Sequence, residues 1–281
     1  MEQVQNSVAL AGSPPALKPT ISELRKVCKS YAKPSGEPMP ILVDINVTIR
    51  EDEILGLLGR SGSGKSTLLR TVGGLIFPTQ GSALYRGQPM TGPPDGISIV
   101  FQSFALFPWL TVLENVEIAL DALGVPREET RTKALAAIDL IGLDGFQSAY
   151  PRELSGGMRQ RVGFARAIAI EPILLLMDEP FGALDAQLKL VIEEELMQLW
   201  HQAHPTILYV THDLTEAITL ADRVVVFSSR PARILAIETI DIPRPRDLNA
   251  TRFLPYFRDV HENLWALLKA NLSDTVEARH G

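Results

Sequence analysis

The sequence predicts an α/β fold with a mainly parallel sheet, an antiparallel β region at its edge and an inserted all-helical segment. Short apolar runs that alternate with helix-like stretches indicate the parallel sheet. Strict alternation of apolar and polar residues over 41–50 indicates a strand with one buried face, which is typical of an antiparallel region. Residues 111–170 contain no strand-like run, so they indicate a helical insertion between two core strands.

The core strands follow from uninterrupted apolar runs. Val43, Ile45, Val47 and Ile49 share one face of the alternating segment, and a polar turn follows it. The chain then becomes apolar without alternation, as expected for strands covered on both faces. The runs predicted to be core strands are 54–58, 97–100, 173–177, 206–210 and 224–227. Residues 187–202 are predicted to be a helix, because Leu188, Val191, Ile192, Leu196 and Leu199 recur at helical spacing.

The remaining segments divide the chain. The first twenty residues are rich in proline and lack the apolar core of a signal peptide, so they predict a mobile leader. The insertion has helical periodicity over 111–123, 127–141 and 155–170. An apolar run at 234–242 predicts a short β segment, and a last amphipathic helix presents Phe257, Val260, Leu264, Leu267 and Leu268 on one face. The predicted units are a leader (1–20), an α/β domain (21–230) with a helical subdomain at about 103–170, and an extension (231–281).

Charge and apolar patterning limit the classes of function. The formal net charge is −6 with 21% charged residues, so no overall basic surface indicates nucleic-acid binding. Cys28 is the single cysteine, which excludes an intrachain disulfide framework and favours a reducing compartment. No uncharged apolar stretch reaches the roughly 18 residues that a membrane-spanning helix needs. A role at a membrane therefore requires a partner that spans it.

A phosphate-binding loop is predicted directly after the strand 54–58. The string fits G-x-x-x-x-G-K-[ST] and precedes a helix-like stretch, which is the context that the motif requires. Glycines turn backbone N–H groups toward phosphates, and the helix N-terminus adds positive potential. Lys65 is predicted to pair with the β- and γ-phosphates, and the Ser66 hydroxyl to ligate Mg²⁺. The predicted nucleotide-binding residues here are Gly59, Arg60, Ser61, Gly62, Ser63, Gly64, Lys65, Ser66 and Thr67.

Polar residues also follow two other predicted strands. Asp178 and Glu179 close the run 173–177, and His212 follows the run 206–210. Ligands of open α/β sheets bind at the carboxyl ends of strands. Asp178 is therefore predicted to ligate Mg²⁺, Glu179 to act as the base that orients water, and His212 to donate a hydrogen bond to a γ-phosphate. Acids commonly follow strands, so the carboxylate pair alone is also compatible with a solvated strand end.

A second anion site is predicted at Leu154-Ser155-Gly156-Gly157. Ser155 is a favourable N-cap, and the two glycines leave the first N–H groups of a helix bare. One nucleotide does not need two such cradles from one chain. We therefore expect the second cradle to serve a nucleotide that another chain holds.

The string LSGGMRQR at 154–161 resembles the signature of ABC transporter ATP-binding subunits. The resemblance extends over residues 21–230, with further elements in the family's order: the phosphate loop, Gln102, the signature, Asp178-Glu179 and His212. The segment 107–116 and the late Pro- and Arg-rich passage 230–246 resemble in particular the nitrate/sulfonate/taurine importer ATPases. The resemblance implies the P-loop NTPase fold of ABC ATPases, ATP hydrolysis, and ATP and Mg²⁺ as ligands.

Several residue roles rest on the resemblance alone. It implies that Gln102 contacts Mg²⁺ and senses the γ-phosphate, and that Tyr31 stacks on adenine. It implies that Ser155 to Gly157, with Leu154, cap the γ-phosphate held by the opposite subunit. It places Asp185 in the dimer interface.

The partners are implied in the same way. They are transmembrane permease subunits, a second ATPase subunit expected to be a copy of this chain, and indirectly a solute-binding protein, with no nucleic acid. The expected place is the cytoplasmic face of the inner membrane, as a peripheral subunit, and the expected solute is a small anion such as nitrate, sulfonate or taurine.

Two interpretations remain open from the sequence. Phe104, Phe107 and Trp109 lie where the family docks a permease helix, but they are also compatible with the core of the helical insertion. The alternative function is an ABC ATPase that acts on nucleic acid or a ribosome. A single cassette, a short helical insertion and net negative charge favour the transporter.

Overall fold

The structure, a computed structural model, describes residues 18–182 and 186–277. Residues 1–17 of the predicted leader lie outside this part of the chain, and the first strand begins at Thr20. The strands are β1 (Thr20–Ala32), β2 (Pro38–Arg50), β3 (Ile54–Leu58), β4 (Gln80–Tyr85), β5 (Gln88–Pro89), β6 (Ile97–Val100), β7 (Leu174–Asp178), β8 (Thr206–Thr211), β9 (Arg223–Phe227) and β10 (Ile234–Thr239). The helices are α1 (Lys65–Val72), α2 (Val112–Ala122), α3 (Arg127–Leu140), α4 (Gly156–Ile168), α5 (Ala186–Ala203), α6 (Leu214–Leu220), α7 (Leu248–Thr251) and α8 (Pro255–Glu277).

A six-stranded sheet forms the centre of the described chain, in the order β10-β9-β3-β8-β7-β6. The neighbours from β9 to β6 are parallel, and only the edge strand β10 is antiparallel to β9. Every residue of β3, β7 and β8 is buried, which explains their apolar runs without alternation. The mainly parallel core predicted from the sequence is confirmed.

The parallel strands end at one edge of this sheet. Leu58, the last residue of β3, pairs with Thr211, the last residue of β8. Asp178, the last residue of β7, pairs with Val210 of β8. β6 lies beside β7 and ends at Val100. The segments that follow these strands therefore leave the sheet close together.

A separate antiparallel sheet has the order β2-β1-β4-β5. The predicted apolar face of β2 is largely buried, since Ile45, Val47 and Ile49 are at most 4% exposed. These residues pack with apolar residues of β3 and α1 in one hydrophobic cluster. The antiparallel region thus covers one face of the core beside the phosphate loop, as the alternating pattern predicts.

Between β6 and β7 the chain is helical. α2 begins with a capping box, in which the Thr111 hydroxyl accepts a hydrogen bond from the Glu114 N–H and the Glu114 carboxylate accepts one from the Thr111 N–H. α2, α3 and α4 pack together around Val116, Ile138 and Val162, which are fully buried. This arrangement agrees with the predicted helical insertion.

Hydrogen bonds from a buried arginine connect the C-terminal segment to α6. The Arg246 guanidinium donates hydrogen bonds to the carbonyls of Ile218, Thr219, Ala221, Ile240 and Ile242. The side chain of Arg244 lies 4.2 Å from the centre of the Trp200 ring and donates to Asp222 and Leu220. These bonds occupy the carbonyls at the end of α6, the helix that follows His212.

No helix in the described ranges is long and apolar enough to cross a membrane.

Candidate functional site

The phosphate loop, residues 59–64, connects the end of β3 to α1, whose first residues are Lys65 and Ser66. Its backbone takes positive φ angles at Gly62 (+75°) and Gly64 (+116°), which glycine adopts without the steric cost of a Cβ atom. The Lys65 ammonium donates hydrogen bonds back to the carbonyls of Gly59 at 2.7 Å and Arg60 at 2.8 Å. The loop therefore curves around the ammonium, with the N-terminus of α1 at its end.

Gly64 lies in tight contact with β2, with little space for a side chain. A Cβ atom there would lie 3.1 Å from Leu42 Cδ2, 3.2 Å from Ile41 Cγ2 and 3.3 Å from the Ile41 carbonyl oxygen. Both neighbours belong to β2, so the antiparallel sheet packs directly against the turn of the phosphate loop. The glycine is required by both conformation and close packing.

Lys65 is a buried cation, with 3% of its surface exposed. Burial lowers the pKa of its ammonium, and the charges of Glu179 and Asp178 oppose this shift. The distance from Lys65 Nζ to Glu179 Oε1 is 3.9 Å. A buried ammonium at a helix start is suited to an anionic ligand that lies over the loop.

Ser66 and Asp178 form a pair of oxygen donors at the foot of the loop. The Ser66 hydroxyl donates a hydrogen bond of 2.7 Å to Asp178 Oδ1. Among the described residues no group of three or more His, Cys, Asp or Glu side chains is arranged to hold a metal. One hydroxyl beside one carboxylate fits Mg²⁺, which takes few protein ligands and completes its shell with phosphate oxygens and water.

Glu179 lies at the centre of the cluster. It follows the last residue of β7 at a φ of +48°, a conformation that non-glycine residues rarely adopt. Gln102 Nε2 donates to Glu179 Oε2 at 3.4 Å, and His212 Nδ1 lies 3.7 Å from the same oxygen. The structure thus brings Lys65, Gln102, Glu179 and His212 together at the edge where the parallel strands end.

The other predicted residues of the loop lie around this cluster. Arg60, Ser61 and Gly62 are exposed, whereas Ser63 is buried and its hydroxyl has no hydrogen-bond partner among residues 18–182 and 186–277. Thr67 is half-buried in the first turn of α1, and its carbonyl accepts a hydrogen bond from Thr71.

Tyr31 lies near the end of β1 and is 41% exposed. The Lys29 ammonium is 5.2 Å from the centre of its ring. An exposed aromatic face beside a cation has the form required for stacking on a base. Among the described residues no hydrogen bond, ion pair or ring contact joins Tyr31 to the phosphate loop, so its stacking on adenine stays a prediction.

The signature lies at the start of α4. Ser155 is the N-cap, and its hydroxyl accepts a hydrogen bond of 3.3 Å from the Met158 N–H. Leu154 is buried, with its carbonyl bonded to Arg159, while Ser155 and Gly156 are exposed. Gly157 is buried in the first turn. Within the part of the chain that the structure describes, no hydrogen bond or ion pair joins the signature to residues 59–67.

Asp185 lies outside the described residues, so its predicted place in a dimer interface is not tested. The sequence analysis also missed a cluster of charges beside His212, formed by Lys189, Asp213 and Glu216. The available signal was Asp213, a favourable helix N-cap directly after His212. Nothing in the spacing of Lys189 indicates that it reaches this loop.

Comparison with known proteins decides the family. The profile described as ABC transporter matches residues 42–182. An uncharacterized ABC transporter ATP-binding protein of Methanocaldococcus jannaschii is 45% identical, over 80% of this chain and 85% of its own length. The chain belongs to the ABC transporter family. It is an ATP-binding, ATP-hydrolysing cassette, as the signature predicts.

Relatives with named transport roles are similarly close. The nitrate import ATP-binding protein NrtD of Synechocystis is 44% identical, over 84% of this chain and 91% of its own. The bicarbonate transport ATP-binding protein CmpD of the same organism is 42% identical, over 88% and 89%. A solved ATP-binding cassette, dimeric in a post-hydrolysis state with ADP and Pi, is 33% identical with a TM-score of 0.71, covering 79% of this chain and 100% of its own. The predicted ABC ATPase fold is confirmed.

The packing around Gly64 leads to a prediction about nucleotide binding. In Gly64→Ala the new methyl group meets β2 and the φ of +116° is unfavourable, so the loop shifts. We expect ATP affinity, measured by calorimetry, to fall about tenfold or more, which corresponds to ~1.4 kcal/mol. Gly87→Ala is the matched control, because Gly87 has a φ of +76° with no atom near its Cβ position. Equal affinities for the two variants would contradict the tight fit inferred for Gly64.

Proposed function

We propose that the chain is the ATP-hydrolysing subunit of an ABC importer for a small anion, and that ATP and Mg²⁺ bind at residues 59–67. The observation that carries the proposal is the cluster at the carboxyl edge of the parallel sheet, where Lys65 and Glu179 lie 3.9 Å apart beside the paired Ser66 and Asp178. Close similarity to nitrate and bicarbonate transport ATPases supports an anion as the solute.

Each residue of the cluster has a separate role in this proposal. Lys65 pairs with the β- and γ-phosphates of ATP, since its buried ammonium lies inside the loop, bonded to the carbonyls of Gly59 and Arg60. Ser66, Asp178 and Gln102 would hold Mg²⁺, which neutralises phosphate charge when bound. Glu179 orients the attacking water and accepts its proton, and His212 donates a hydrogen bond to the γ-phosphate.

The signature acts on a nucleotide bound by a second subunit. Ser155 and Gly156 are exposed at the N-terminus of α4, and residues 154–157 make no hydrogen bond to the chain's own phosphate loop in the described structure. Two such chains placed head to tail would join each phosphate loop to the partner subunit's signature. The similar cassette that was solved as a dimer supports the pairing of two such chains.

The permease docks on the segment after Gln102. Trp109 is 67% exposed, and its ring centre lies 5.6 Å from that of the half-buried Phe107. Buried Asn115 bonds to the N–H and carbonyl of Phe107, and Arg166 bonds to the carbonyl of Phe104. The segment therefore has a rigid base and an exposed indole, which suits a docking surface. A permease bound here would hold the subunit at the cytoplasmic face of the inner membrane.

The solute itself is recognised elsewhere in such a transporter. Nitrate and bicarbonate are small anions, and sulfonates and taurine carry an anionic sulfonate group. This chain need not contact any of them, because a permease and a solute-binding protein would select among them. The proposal therefore assigns a class of solute, and purified permease complexes assayed with each anion would identify it.

Replacing Glu179 tests the catalytic role. Glu179→Gln keeps the shape of the side chain but removes the base, so we expect ATP binding to persist while kcat falls about 100-fold or more. Steady-state ATPase assays and calorimetry measure the two quantities. Glu171→Gln is the control, because Glu171 is also a carboxylate at positive φ, 50°, but lies outside the cluster. A Glu179→Gln variant that hydrolyses ATP at the Glu171→Gln rate would remove Glu179 from catalysis.

Replacing Trp109 tests the docking surface and with it the transport function. Because the indole is exposed, Trp109→Ser should change the free energy of unfolding by less than about 1 kcal/mol. We expect basal ATPase to persist, while recovery with permease-containing membranes falls by about tenfold. Trp265→Ser on α8 is the matched control, since Trp265 is 55% exposed. Equal membrane recovery of the two variants would place the permease contact elsewhere.

A further inference from the structure

A cluster of charges lies beside His212, outside the residues assigned above. Lys189 Nζ on α5 is 2.6 Å from Asp213 Oδ2 and 3.0 Å from Glu216 Oε2. Glu193 Oε1, one turn along α5, is 3.8 Å from the same nitrogen. The ammonium thus connects α5 to the segment that carries His212 and begins α6.

Asp213 makes hydrogen bonds through its backbone N–H and through both carboxylate oxygens. Its Oδ1 accepts hydrogen bonds from the N–H groups of Thr215 at 2.8 Å and Glu216 at 3.2 Å, as the N-cap of α6. Its own N–H donates to the Thr211 hydroxyl at 3.0 Å, and Lys189 holds its Oδ2. His212 lies between Thr211 and Asp213, so these bonds fix the direction in which the imidazole leaves the backbone.

A cavity of about 140 Å³ lies beside His212, with room for several water molecules. Its lining includes Glu179, Lys189, His212 and Asp213. Lys189 thus lines the same space as His212, and its ion pairs with Asp213 and Glu216 connect α5 to the segment that carries His212.

The carboxyl groups around Lys189 favour the charged form of its ammonium. Burial lowers the pKa of Lys189, but the carboxyl groups of Glu216 and Asp213 outweigh burial and raise it overall, so the ammonium stays charged. Burial raises the pKa of Glu216 to about 8, and the charge of Lys189 opposes this shift. Burial also opposes ionisation of Asp213, but the hydrogen bond and charge of Lys189 outweigh it and lower the pKa of Asp213, so Asp213 is an ionised partner of Lys189. Arg252 brings a second cation within 3.8 Å of buried Glu193.

We propose that Lys189 is a positioning residue for ATP hydrolysis. By holding Asp213 and the start of α6, it keeps the imidazole of His212 directed at Glu179 and the γ-phosphate. Lys189 does not touch the nucleotide in this account, so its loss should misplace His212 without weakening ATP binding. The inference rests on the role proposed above for His212.

Three variants of the full chain test whether the charge of Lys189 is needed for ATP hydrolysis. Lys189→Met removes the ammonium and keeps most of the volume, so we expect kcat to fall about 10- to 100-fold, as for a misplaced catalytic group. The KM for ATP should stay within about twofold. Lys189→Arg keeps the charge, and the adjoining cavity has room for the larger head, so it should recover most of kcat. Lys133→Met is the matched control, because Lys133 also bridges two carboxylates, Glu129 and Glu171, on the helical insertion.

The results separate a positioning role from a structural one. A Lys189→Met kcat within about twofold of the Lys133→Met value would overturn the proposal. It would also be overturned by a loss that Lys189→Arg does not recover at all, or by a rise in KM with unchanged kcat.

Asp213→Asn provides the test if Lys189→Met does not fold. The amide keeps an N-cap oxygen for α6 but removes an ionised partner of Lys189. It should lower kcat as Lys189→Met does, and the double variant should be no worse than either single one. Fully additive losses would show that the two residues act separately and would contradict the proposal.

His212→Ala separates this inference from the function on which it rests. A normal kcat in His212→Ala would refute the role of His212 itself. A low kcat in His212→Ala with a normal one in Lys189→Met would refute only the positioning role of Lys189.

Discussion

The common register of β3, β7 and β8 is the constraint on which the site depends. Leu58 pairs with Thr211 and Asp178 with Val210, so three loops leave the sheet at one level. The buried ammonium of Lys65, the Ser66–Asp178 pair, Glu179 at positive φ and His212 all lie at or just beyond these strand ends. Because every residue of the three strands is buried, a shift of register would disturb the core and the site together.

The described chain carries two helix starts suited to phosphate, and they differ in what they hold. At α1 the loop closes around Lys65, with Glu179 and Asp178 nearby. At α4 Ser155 caps the helix, Gly156 is exposed, and no carboxylate is bonded to either residue within the described ranges. The site at α1 therefore has the groups for nucleotide binding and hydrolysis. The site at α4 has only helix N–H groups and a hydroxyl with which to contact a phosphate. This division is the physical reason to propose that two subunits complete one site.

The sequence allowed the core strands and the site cluster to be predicted, because buried strands are uninterrupted apolar runs and their carboxyl ends meet. It did not reveal β1. A bulge with Lys26 at a φ of +50° and a register shift between Leu24 and Val27 break the alternation in that strand. The Lys189–Asp213 contact was also missed, because it joins residues 24 apart on a helix and a loop whose proximity depends on the folded sheet. Periodicity and motif spacing carry local information, whereas such pairs are set by tertiary packing.

The most direct test of the account mixes two inactive variants. Lys65→Ala spoils the phosphate loop and Ser155→Arg spoils the signature, so each homodimer has two defective sites. In a head-to-tail heterodimer both lesions fall on one site, and the other keeps an intact loop and an intact signature. We expect each head-to-tail heterodimer, verified by native mass spectrometry, to regain up to about half of the wild-type ATPase rate, which is up to about a quarter per dimer for a 1:1 mixture in which about half of the dimers are mixed. Heterodimers that form and stay inactive, or monomeric Ser155→Arg with full activity, would contradict a signature that acts on the partner subunit's nucleotide.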